Sequence, residues 1–116
     1  MLCVLSSACD QSGMSSDLDT MQNAAWRIGN AVSNDRPAEL LLAMRAFEGA
    51  SAVAHSRLGA SSSDSKQKAM AQWTQLHDDV ESQLQSPKGQ RVVDAISTGP
   101  DAGDWVELHA SIVRQR

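Results

Sequence analysis

The sequence predicts an all-α fold: an antiparallel up-down-up-down four-helix bundle whose last helix is interrupted at Gly99-Pro100. Three observations carry that expectation. Apolar residues return at steps of three and four along three successive segments, the spacing of a helix that buries one face. Short polar stretches around Asn34-Asp35, over residues 59–64 and at Ser86-Pro87 separate these segments, and sequential helices joined by short loops prefer antiparallel neighbours. The chain has three Trp, one Phe and no Tyr, so it lacks the aromatic stock that large sheets use. No segment shows the strict alternation of a half-buried strand.

Each element has its own signals. Ser16 and Asp19 form an S-x-x-D start signal, followed by apolar positions at Leu18, Met21, Ala25, Ile28 and Val32. A second helix is expected from Pro37, which suits a first turn, with Leu40, Met44, Phe47, Ser51, Ala54 and Leu58 on one seam and Gly59 as its stop. Ser51 is the one polar residue on that seam. A third spans residues 65–85 with Ala69, Trp73, Leu76, Val80 and Leu84. Val92, Val93 and Ile96 support a short helix before Gly99-Pro100, and Trp105, Leu108, His109 and Ile112 share a face after it. The break leaves open whether the chain kinks or reverses there. Residues 1–15 are set apart as a signal-like or disordered tail, and residues 16–116 form a single domain.

Composition removes several functions. The chain holds 10 Lys and Arg against 14 Asp and Glu, a net charge of −4, with no basic cluster. Non-specific nucleic-acid binding needs such a face to displace counterions, so no nucleic-acid partner is expected. No apolar run approaches the roughly 20 residues of a membrane helix. The two cysteines, Cys3 and Cys9, form no zinc-ribbon spacing, and no C-x-x-C-H sequence is present for covalent haem attachment. Met1–Cys9 resembles the end of a bacterial lipoprotein signal, with small residues before a cysteine. That implies a periplasmic protein and a lipid tether through Cys9.

The three histidines, His55, His77 and His109, make no i,i+4 metal pair, and no nucleophile or phosphate-loop motif occurs. An enzyme is therefore not expected. Ala54-His55-Ser56-Arg57-Leu58-Gly59 faintly resembles the active stretch of histidine phosphotransfer domains, with the leucine and the basic residue exchanged. Met21 lies about five residues into the first helix and His109 about seven from the chain end. In an up-down-up-down bundle both would stand roughly 7–11 Å from the same end. Thioether and imidazole form a known axial pair for haem iron.

Those residues carry a resemblance to the cytochrome b562 family. Asp17-Leu18-Asp19-Thr20-Met21 resembles its opening, Ala43-Met44-Arg45-Ala46 its second helix, Trp73 its third-helix aromatic, and His109 with the basic end Arg114-Gln115-Arg116 its closing histidine and tail. The resemblance implies a periplasmic electron-transfer protein with a b-type haem (heme b), Met21 and His109 as iron ligands, and a redox partner protein. The expected pocket is lined by Leu18, Met21, Ala25, Trp105 and His109. The competing expectation is a non-catalytic interaction or chaperone-like bundle without cofactor, bound to another protein partner.

Overall fold

The computed structural model describes the backbone of residues 6–60 and 65–116 and the side chains of residues 16–58 and 66–116. The described residues form five helices and no strand: α1 (Ser6–Ser33), α2 (Pro37–Ala60), α3 (Ser65–Gln85), α4 (Pro87–Ser97) and α5 (Ala102–Arg114). The all-helical class therefore holds. One boundary differs from expectation. α1 begins at Ser6, so Ser16 and Asp19 lie inside a continuous helix, and Thr20 Oγ1 donates to the Ser16 carbonyl at 2.9 Å. The side chain of Cys9, the expected lipid attachment point, lies outside the described residues, as does all of Cys3.

α1 and α2 are joined by a tight corner. Asp35 adopts φ 58°, while the Arg36 N–H reaches back to the Ala31 carbonyl at 2.9 Å and the Asp35 N–H to that of Val32 at 3.2 Å. These paired bonds satisfy the last carbonyls of α1 and reverse the chain. At the far end, Arg57 Nε approaches Asp17 Oδ2 to 2.7 Å. Its alignment falls short of a hydrogen bond, and that oxygen, buried as it is, has no other partner among the described residues. The pair still fixes α1 and α2 in antiparallel register.

The seams read from sequence are the buried ones. Leu40, Met44, Phe47, Ser51, Ala54 and Leu58 of α2 all face inward, as do Ala69, Trp73, Leu76, Val80 and Leu84 of α3. In α1 the inward alanine is Ala24, with Ala25 only half-buried. Burial of these side chains drives the packing, at about 1.5–3 kcal/mol for each large apolar group.

The fourth helix of the expected bundle is two helices. A single residue, Ser86, separates α3 from α4. Its Oγ accepts from the Gly89 N–H at 3.0 Å and donates to the Gln83 carbonyl at 2.7 Å, and Pro87 occupies the first turn. One side chain thus caps a start and closes an end. After Gly99-Pro100 the chain reverses, and α5 runs back along α3: His109 meets Glu81, and Arg116 meets Asp78. α4 packs against all four other helices. α5 packs on α2 and α4, with side chains reaching α3, but among the described residues no α-carbon of α5 comes within 8 Å of one in α1.

Candidate functional site

The expected haem ligands are not brought together. Met21 is fully buried in the core on α1. His109 is half-buried on α5, its Nε2 2.8 Å from Glu81 Oε1 and its ring stacked on Trp105 at 5.6 Å. Gly29 of α1 faces Gln83 of α3. Extending that register puts Met21 level with Gln75, six residues and roughly 9 Å along the axis from Glu81. The matching depth read from sequence assumed α1 and α5 to be neighbours, whereas α2 and α3 stand between them.

The other expected pocket residues divide the same way. Leu18 lies in the core beside Met21, and Ala25 lines an α1/α3 groove with Gln22, Trp26, Leu76 and Gln83. Trp105 is buried on α5. Leu18, Met21 and Ala25 thus lie on α1 and Trp105 and His109 on α5, two helices whose α-carbons nowhere come within 8 Å of each other among the described residues. Among the described residues no three His, Cys, Asp or Glu side chains gather into a metal-binding group. His55 is exposed, 5.1 Å from the Trp73 ring, and its basic neighbour Arg57 is engaged by Asp17.

What the fold does gather inside is a polar knot that the sequence did not reveal. His77 is buried at 1% exposure, its ring 3.9 Å from that of Trp73 and 5.0 Å from that of Phe47. Trp73 Nε1 donates to the Ser51 carbonyl at 3.0 Å. Gln115, just past α5, reaches in from the chain end. Its Nε2 donates to the Glu48 carbonyl at 3.2 Å, and its Oε1 lies 3.0 Å from His77 Nε2 and 2.5 Å from Ser51 Oγ. His77 Nδ1 faces the Trp73 carbonyl at 3.1 Å. Each ring nitrogen thus meets an oxygen, and a neutral imidazole donates through only one of them. Ser51, the polar residue on an apolar seam, is explained by this knot. Its members bond to one another and to backbone, so it fastens α2, α3 and the chain end together.

The surface carries the remaining feature. Trp26, Leu42, Val53, Val106 and Val113 are exposed large apolar residues. Leu42 and Val53 share the outer face of α2 with Gly49 between them, within about 40° of one another at 3.6 residues per turn. That face otherwise bears Ala38 and Ser56, with the half-buried Ala46 toward one edge and Arg45 at the other. A signal for it was present in the sequence: Leu42 and Val53 are apolar yet off the α2 seam. Among the described residues no helix is long and apolar enough to cross a membrane, so the apolar character of α2 is not that of a spanning segment.

No protein-family model, no curated protein and no solved structure matches this chain.

Proposed function

We propose that this chain is a non-catalytic interaction module that works by presenting the outer face of α2 to another protein. In this reading α1, α2, α3 and α5 run alternately up and down as the frame of an antiparallel bundle, with α4 turning the corner. The observation that carries the function is the pair Leu42 and Val53, 55% and 48% exposed on a helix whose opposite side is fully packed. Apolar side chains left exposed on one helix face supply surface of the kind that marks interaction sites on folded domains. The interior supports the same reading, because the polar groups of the knot bond to one another and to backbone.

The expectation of a haem carrier makes a different demand, since Met21 would have to leave the core and His109 would have to leave Glu81. Two measurements separate the readings. A photo-cross-linking residue at position 53 of the full chain is expected to give an adduct of discrete mass in producing cells, while the same residue at Lys88 on α4 gives none. Haemin added to the purified protein is expected to produce no saturable Soret shift. A one-to-one six-coordinate spectrum lost in Met21→Ala and His109→Ala, or the absence of any discrete adduct from position 53, would overturn the proposal.

A further inference from the structure

We infer that the partner of this face is a second copy of the chain, docked antiparallel along α2. The inference rests on the reading of that face as the working surface.

Gly49 gives the first argument. It stands in mid-helix, and a Cβ built there would meet nothing within 4 Å. Glycine in a helix interior is less stable than alanine by about 0.5–1 kcal/mol. Nothing packed around it among the described residues asks for it. A second helix crossing at close range does ask for it, because only glycine lets the two backbones approach.

The face is also self-complementary in register. When two α2 helices lie antiparallel with Leu42 opposite Val53 of the second copy, Ala46 falls opposite the second copy's Gly49. The same pairs repeat across the two-fold axis, as an isologous contact requires. Each large residue meets a large one, and each glycine lies level with Ala46, which is half-buried at the edge of the face.

Charge completes the case. Glu39 and Arg57 lie on one flank of the face, each about 60° from Leu42 at 3.6 residues per turn. In an antiparallel pair like flanks meet, so this register sets Glu39 against Arg57 of the second copy at both ends. Within its own chain Glu39 pairs with Arg36 at 3.0 Å, and Arg57 lies 2.7 Å from Asp17. Docking would join these into two rows of alternating sign. On the other flank, Arg45 is neutralised by Asp104 at 3.2 Å, which removes the repulsion that two facing Arg45 residues would create.

Sedimentation velocity of the full chain, from low micromolar to several hundred micromolar, tests the inference. A reversible monomer–dimer equilibrium is expected. Leu42→Glu should weaken it at least about 100-fold, since each dimer loses two apolar contacts and buries two charges, with the helical CD spectrum unchanged. Should that variant fail to fold, Gly49→Ala serves instead: it should raise Tm by a few degrees while weakening the dimer. Glu39→Arg and Arg57→Glu should each weaken self-association, by about 10-fold, and mixing the two should restore a one-to-one heterodimer.

A monomer at every concentration overturns the inference, as does a dimer indifferent to Leu42→Glu (or, in its place, Gly49→Ala) or a mixture of the charge variants that forms no heterodimer. The cross-link at position 53 tells which reading has failed. An adduct of twice the chain mass belongs to self-docking. A discrete adduct of another mass ends the self-docking inference and leaves the interaction module standing, and no adduct ends both.

Discussion

Gly89→Ala is expected to destabilise the protein by about 3 kcal/mol, the upper range for forcing an extra carbon into a packed site, and to lower Tm by roughly 10 °C. Gly89 is buried at the first turn of α4, directly under the end of α3. A Cβ there would lie 2.0 Å from the Gln83 carbonyl oxygen and 2.7 Å from that of Leu84. Both obstacles are backbone, so no rotamer change relieves them. The two helices must move apart, which breaks the Ser86 bridge to Gly89 N–H and Gln83 carbonyl. The sign is informative, because a glycine-to-alanine change in a helix ordinarily stabilises by about 0.5–1 kcal/mol. Gly49→Ala, in open space, should follow that ordinary rule in the monomer. Thermal melts of the two variants at low concentration should therefore shift in opposite directions. Equal shifts would contradict the account of the α3–α4 corner.

The second large effect belongs to His77. His77→Ala is expected to cost about 3 kcal/mol, by loss of ring packing and of a buried hydrogen bond. It removes contacts with Phe47 and Trp73 and leaves Gln115 Oε1 with Ser51 as its remaining neighbour in the knot. His77→Phe keeps most of the volume and loses both polar contacts, so its cost should be smaller, about 1–2 kcal/mol. Gln115→Ala should cost about 1 kcal/mol, since it unfastens a chain end that the Arg116–Asp78 pair still holds. Urea unfolding checks all three. If His77→Phe proves as costly as His77→Ala, packing is not the larger part of the effect. If Gln115→Ala is silent, the chain end is not held by the knot.

Much of the fold was legible because helical periodicity is a strong local signal. The seams of α2 and α3 are buried residue for residue, and even the anomaly at Ser51 pointed to a real polar site. The failures have physical reasons. Ser16 and Asp19 look like a helix start, but hydroxyl and carboxylate side chains also occur inside helices, and here Thr20 bonds back to Ser16. Gly99-Pro100 announced a break, yet a break does not reveal direction. That depends on which groove α5 can fill, and it fills the one beside α2 and α3. The Met21–His109 pairing was read from ligand chemistry, a family resemblance and matching depth, and depth places two residues together only when their helices are neighbours. His77 was invisible as a core residue because its partner, Gln115, is remote in sequence. The outer face of α2 was written in Leu42 and Val53, which depart from the seam, but only the packed structure shows that nothing among the described residues covers them.

The most direct measurement of the central claim is hydroxyl-radical footprinting of the full chain at working concentration, read by mass spectrometry at single residues. Leu42, Val53, Val106 and Val113 are all exposed in the isolated fold, so a free module would label at all four. The account predicts that Leu42 and Val53 are protected while Val106 and Val113 react freely, and that dilution returns the first pair to full labelling. Equal labelling of all four at every concentration would contradict it.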